Sequence, residues 1–251
     1  MAAADWSNYV ARFHADRAGV TEWVLHRART GGGDAYDWLA AATTEGRVVL
    51  DLACGSAPLL PVLAAGRYVG VDVSAAELAL ARRRGAGPLV RGSATALPLA
   101  DGSVEVVACS MALQILTPLP TVLAEVARVL TPGGLLVATV PDRGPLRAGD
   151  VPILAALLAT LGRGLGYPND RLLRRLPDLL AAAGLRLVID ERRRFAYRLA
   201  AAADAEVFLA SLYLPGLSTR RYRAARVLLR TAARARLSLP VPVRRLVAVR
   251  T

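Results

Sequence analysis

Two short apolar runs, Val48-Val49-Leu50 and Tyr68-Val69-Gly70-Val71, each end on an aspartate, Asp51 and Asp72. Branched, apolar residues in unbroken succession suit strands buried on both faces of a parallel sheet. The first run passes at once into small residues, Ala53-Cys54-Gly55-Ser56 after Leu52, which let the backbone approach a ligand closely. In a doubly wound sheet, ligands sit outside the carboxyl ends of the strands. A small-residue loop on one strand beside an acid on the next therefore describes a crevice for an adenosine-containing group. Asp72 is placed there to accept from ribose hydroxyls.

The rest of the chain is compatible with such a sheet. Its 251 residues, 54% of them hydrophobic, suffice for one α/β domain with a substantial core and exclude global disorder. The start lacks a basic segment followed by an apolar one, so no secretory signal is expected. Val151 to Leu161 is too short to span a bilayer. Cys54 and Cys109 have no partners at zinc-binding spacing, so no metal is expected. These features point to a reduced, cytoplasmic protein with no membrane partner.

The formal charge of +12 is unevenly distributed. Residues 1–140 hold 11 arginines against 12 acids, a net −1, whereas residues 141–251 hold 21 arginines against 8 acids, a net +13. There is no lysine; with abundant Ala, Leu and Gly this matches a high-GC coding bias. The basic half is either a solvated face or a surface for an anionic partner such as nucleic acid.

Helical spacing of Trp6, Tyr9, Val10, Phe13, Val20, Trp23 and Val24 predicts one or two amphipathic helices over 5–29, broken at Thr30-Gly31-Gly32-Gly33-Asp34. A short helix over 36–42 leads to a strand at 47–51. A helix at 58–65 leads to a strand at 67–72. Ser74 with Glu77 forms a capping box for a helix over 75–84, stopped at Gly85. Strands at 88–92, 104–109 and 135–140 alternate with a helix over 119–130 that Thr131-Pro132-Gly133-Gly134 closes. Beyond them, helices are expected at 150–164, 169–183, 203–214 and 218–236. A long, partly exposed strand is expected from 185–189 with 195–199, and an antiparallel strand at 241–249. Strand–helix alternation of this kind predicts a three-layer, doubly wound, Rossmann-like α/β fold.

Four segments in this order resemble the class I S-adenosylmethionine-dependent methyltransferases, in the branch that acts on small molecules. They are Val49-Leu-Asp-Leu-Ala-Cys-Gly-Ser56, Gly70-Val-Asp-Val-Ser74, Ala96-Leu-Pro-Leu-Ala-Asp-Gly-Ser-Val-Glu-Val-Val107 and Glu125-Val-Ala-Arg-Val-Leu-Thr-Pro-Gly-Gly-Leu-Leu136. The resemblance covers roughly residues 45–141. It implies a mostly parallel sheet of seven strands, the last antiparallel, in one domain over 1–251. Residues 1–44 would then be an N-terminal helical lid, 45–141 the cofactor-binding core, and 142–251 the acceptor-side half with a helical cap. S-adenosyl-L-methionine is the implied cofactor. The residues implied to hold it are Asp51, Ala53, Cys54, Gly55, Ser56, Asp72, Val73, Ser93, Ala94, Ser110 and Gln114. Met111 would line the cofactor beside Ser110, and Gln114 would face the transferred methyl. The sequence departs from the family's pattern in three places. Only Gly55 survives of the glycine-rich loop, with Ala53 and Ala57 at its other positions. Ser93 and Ala94 stand where an acid usually reads the adenine amino group.

Methyl transfer from a sulfonium is an in-line displacement that mainly requires the acceptor atom to be held in position. A base is needed only where the acceptor must lose a proton. His14, in the lid, is the candidate catalytic base, with lid packing as its alternative; His26, among Arg27 and Arg29, is expected to face solvent. Asp142, after the strand at 135–140, either orients an acceptor or is a turn acid. Arg192–Arg194 and Arg220, Arg221 and Arg223 either steer an anionic group or face water. The apolar cap suits a small, apolar acceptor methylated at oxygen, nitrogen or carbon, and the composition fits bacterial secondary metabolism and natural-product biosynthesis. Two other functions stay open: an RNA methyltransferase using the basic half, and a cofactor-binding fold that catalyses a cyclisation or isomerisation.

Overall fold

The computed structural model describes residues 3–43, 45–63 and 66–251. Helices α1 (Ala3–Asp16) and α2 (Val20–Arg27) are separated at Gly19, whose φ of 79° interrupts the helical run. A two-residue strand β1 (Ala28–Arg29) and helix α3 (Ala35–Ala40) follow. Asp34 caps α3 by accepting from the N–H groups of Tyr36 and Asp37, and Asp37 accepts from Asp34 in return. The central elements are β2 (Val48–Leu52), β3 (Arg67–Asp72), α4 (Ala75–Arg83), β4 (Leu89–Arg91), β5 (Val104–Ser110), α5 (Leu119–Val129) and β6 (Leu130–Pro141). After them come α6 (Val151–Leu161), α7 (Asp170–Arg174), α8 (Leu176–Ala181), β7 (Leu185–Arg198), α9 (Ala202–Ser211), α10 (Thr219–Arg234) and β8 (Ser238–Arg250).

One mixed sheet has the order β1-β7-β8-β6-β5-β2-β3-β4. Strands β2 to β6 pair in parallel, and β8 lies antiparallel between β6 and β7. Both faces of the central strands are buried, as their continuous apolar runs require. Val49, Val106 and Val137 enter one core with α2, α3, α6, α9 and α10. Their neighbours Leu50, Val107 and Leu136 enter the other, with α5, α7 and α8. Among the described residues, no helix is long and apolar enough to cross a membrane.

The parallel core and the antiparallel last strand follow the expected pattern, with local corrections. The eighth strand is β1, which pairs Ala28 with Tyr197 and Arg29 with Ala196; two residues carry no period to read. The segment 58–63 forms turns rather than a helix, with Leu60 N–H donating to Ala57 and Val62 N–H to Leu59. Pro61 cannot donate to Ala57, so the α-helical ladder fails there; positions 64 and 65 lie outside the described residues. The helix expected over 169–183 is two, divided at Arg175. Pro177 cannot serve the Leu173 carbonyl, which instead accepts from Arg244 Nη1 at 2.8 Å. Thr131 to Gly134 begins β6 as an irregular stretch opposite Val104–Val106, with Gly133 at φ 73°.

Two of the recognisable segments are joined by Arg128. Its guanidinium donates to the carbonyls of Leu97 and Leu99 and pairs with Asp101 and Glu125. Glu125 in turn accepts from Leu97 N–H at 2.7 Å. That network ties the 96–103 loop to α5.

Candidate functional site

A cavity of about 760 Å³ opens at the carboxyl ends of β2, β3 and β5. Its floor is the loop after β2, where Ala53, Gly55 and Ala57 have φ of 55°, 54° and 61°. A left-handed conformation costs a residue with a Cβ about 1–2 kcal/mol, so the two alanines are held there by their surroundings. The ties are visible: Cys54 N–H donates to Val71 O at 3.1 Å, and Gly55 N–H to Asp72 Oδ2 at 2.9 Å. Ser74 N–H donates to Asp72 Oδ1 at 2.7 Å. An ionised carboxylate offers about four acceptor sites. Asp72 therefore keeps capacity for a ligand diol after serving both backbone groups.

Asp51 is buried at the end of β2 and accepts from the Tyr68 hydroxyl at 2.9 Å. Burial pushes its carboxyl up to about 7, against the pull of that hydrogen bond, with the nearby Asp72 adding to the rise. Burial also raises Asp72, although the Ser74 and Gly55 N–H groups oppose it. An acid held in this state gains from a cationic neighbour.

Helix α1 lies along the same cavity. His14 places Nδ1 2.8 Å from Glu77 Oε1 and Nε2 2.7 Å from the Tyr213 hydroxyl. Tyr9 Oη accepts from Leu214 N–H at 2.8 Å, and the Phe13 and Tyr213 rings pack with centroids 4.5 Å apart. From α2, Glu22 accepts from Ser56 Oγ and pairs with Arg84. Thr21 Oγ1, on the cavity wall, is buried without a protein partner.

Asp51, Ala53, Cys54, Gly55, Ser56, Asp72, Val73, Ser93, Ala94, Ser110, Met111 and His14 all border this one cavity. Gln114 does not. It is buried beneath, donating to Met111 O at 2.6 Å while its own Oε1 has no partner, because residues 111–117 form turns that fold it inward. Asp142 is also elsewhere, paired with Arg192 at 3.0 Å. His26 is half-buried against Asp34 at 2.8 Å rather than solvent-facing.

With this geometry in view, comparison with known proteins is direct. Residues 50–138 match the family described as a methyltransferase domain. Over that span the chain is similar to methyltransferase domains. The matched span holds β2 to β6 and most of the cavity floor. A 2-phytyl-1,4-naphthoquinone methyltransferase of Thermosynechococcus vestitus is 36% identical over 109 residues, 40% of this chain and 48% of that protein. A demethylmenaquinone methyltransferase of Beutenbergia cavernae is 32% identical over 161 residues, 58% of this chain and 66% of that protein. The chain thus spans about half the length of the first of these relatives. Among solved structures, the [4+2]-cyclase SpnF superposes with a TM-score of 0.60 at 21% identity, covering 96% of this chain and 95% of that one. The YcgJ protein of Bacillus subtilis superposes at 0.56 and 16% identity, covering 85% and 96%. At such identities these likenesses establish the fold alone.

The cavity also presents residues that sequence reasoning passed over. Glu77 looks like a capping residue, and Ser74 Oγ does accept from its N–H, but its carboxylate turns to His14 and to Gly19 N–H. Tyr213 looks like part of an apolar cap face, yet its hydroxyl reaches His14. Neither role leaves a local signal, since the partners lie 63 and 199 positions away. The Arg192–Arg194 run is engaged within the fold, whereas Arg220, Arg221 and Arg223 are exposed. Arg194 pairs with buried Asp150, Arg192 with Asp142, and Arg193 and Arg245 flank the Trp38 ring at 4.8 and 4.6 Å.

Proposed function

We propose that this chain is an S-adenosylmethionine-dependent methyltransferase that methylates a small, apolar acceptor at oxygen, nitrogen or carbon. One observation carries the reading: Asp51, the left-handed loop 53–57 and Asp72 converge on a single cavity at the strand tips of the span that matches a methyltransferase domain. The cavity's volume lies within the range of small-molecule sites and leaves room for an acceptor beside a cofactor. The donor set fits the cofactor's parts. Asp72 suits the ribose hydroxyls, with Val73, Ser93 and Ala94 beside the adenine. The raised acid Asp51 suits the ammonium of the methionine part. Thr21 Oγ1 supplies one more unspent polar atom.

When bound, the cofactor would supply an electrophilic methyl group. The chain's own task is to place the acceptor in line with it and to keep water out. Residues 1–44 act as the lid, 45–141 as the cofactor-binding core and 142–251 as the acceptor-side half. The apolar character of the acceptor is supported by Met111, Ile115 and Leu116 on the wall. The relatives named for quinone methylation agree with it. The internal pairing of Arg192, Arg194, Arg244 and Arg245 weighs against a broad nucleic-acid surface.

Calorimetric titration with S-adenosylhomocysteine tests the cofactor, and transfer of a labelled methyl group across a panel of phenols, quinols and amines tests the reaction. Absence of binding refutes the reading. Binding without transfer to any acceptor favours a cyclase or isomerase instead.

A further inference from the structure

We propose that Tyr213, His14 and Glu77 form a proton chain that removes the proton of a hydroxyl-bearing acceptor, with Glu77 as the residue that positions the base. The proposal rests on the methyltransferase reading and narrows its acceptor to a phenol or alcohol.

The three groups form one continuous line into the cavity. Glu77 Oε1 is 2.8 Å from His14 Nδ1, and His14 Nε2 is 2.7 Å from Tyr213 Oη; all three side chains border the cavity. A carboxylate oxygen only accepts, so Nδ1 carries the ring proton and Nε2 offers its lone pair to the Tyr213 hydroxyl. Glu77 is itself fixed, since its other oxygen accepts from Gly19 N–H at 3.0 Å. Burial keeps the Tyr213 proton in place at rest, so the hydroxyl donates to His14 and leaves its oxygen lone pairs for a ligand. Asp72 is a second carboxylate close enough to His14 to interact with it electrostatically. Packing α1 against the cap needs none of this, because Trp6, Tyr9 and Phe13 already provide it with their rings.

The step balances as a proton relay coupled to displacement. The acceptor O–H passes its proton to Tyr213 Oη while the tyrosine's own proton moves to His14 Nε2. The acceptor oxygen takes the methyl group, and the broken carbon–sulfur bonding pair stays on sulfur. His14 ends as an imidazolium beside Glu77 and later releases its proton to water.

The test starts from the ring tautomer, which needs neither cofactor nor acceptor. The chain has two histidines, so nitrogen-15 labelling of histidine, with His26→Asn for assignment, resolves His14 by NMR. At about pH 8, where an ordinary imidazole is neutral, the parent should show the proton on Nδ1. Glu77→Gln should move proton population to Nε2, while Tyr213→Phe should leave it on Nδ1. With a hydroxyl acceptor, Tyr213→Phe should lower kcat by about 100-fold or more, with KM and S-adenosylhomocysteine affinity changing by less than about twofold. A proton on Nε2 in the parent, an unmoved tautomer in Glu77→Gln, or full kcat in Tyr213→Phe overturns the chain. Failure to bind S-adenosylhomocysteine overturns the methyltransferase reading instead, and the tautomer measurement still judges the chain.

Discussion

Asp51→Asn separates the charge of this buried acid from its shape. In the folded chain the carboxyl releases its proton at about 7, against an ordinary 3.8, mainly because burial penalises the anion. Between those values the folded state holds a proton that the unfolded state has lost, so stability falls as pH rises. At about 1.4 kcal/mol per tenfold change in proton affinity, the loss reaches at most about 4 kcal/mol and is complete above about pH 7. Asparagine keeps an oxygen for the Tyr68 hydroxyl but buries an extra N–H₂, which costs about 1–3 kcal/mol at every pH. The slope therefore matters, not the offset. Urea unfolding of parent and variant at several pH values from about 4 to about 8.5 gives the comparison. The variant should gain on the parent as pH rises, by several kcal/mol over the range, and contributions from acids common to both cancel. Two parallel curves would show that Asp51 ionises as readily inside as outside, and the electrostatic account of the cavity floor would fail.

Binding of S-adenosylhomocysteine, whose ammonium would sit by Asp51, should release a proton below about pH 7; calorimetry in buffers of different ionisation enthalpy detects it, and zero proton exchange refutes it. Asp72→Ala should weaken that binding by about 1–3 kcal/mol, the scale of lost buried polar contacts, again by titration; an unchanged constant refutes the ribose assignment. Gly70→Ala would place a Cβ 2.7 Å from Leu89 Cδ2 and 2.9 Å from both Cys54 Sγ and Tyr68 Oη. It should cost about 1–3 kcal/mol through overpacking, and thermal unfolding that matches the parent's would contradict the packing.

The parallel core was legible because Val48–Asp51, Tyr68–Asp72, Val104–Cys109 and Leu135–Val140 are predominantly apolar runs of the kind buried on both faces of a parallel sheet. The crevice was legible for the same reason: small residues and an acid at strand ends have few other uses. What escaped depends on distance. Gln114 is drawn inward by a turn that no periodicity announces, and the Glu77–His14–Tyr213 line joins three remote segments. Pro61 and Pro177 could have been read better, since each removes a donor from a helix drawn through it. The arginines were ambiguous because a guanidinium paired with Asp150 and one facing water have the same sequence signature.

Ala53 and Ala57 stand where glycine would sit without strain, yet alanine has fewer unfolded conformations to lose on ordering. The two effects oppose one another in stability, while each Cβ narrows the backbone conformations open to the folded loop. A floor of this kind has its curvature set before any guest arrives. It acts as a rigid mould, selecting by shape and yielding little to molecules that do not already match it.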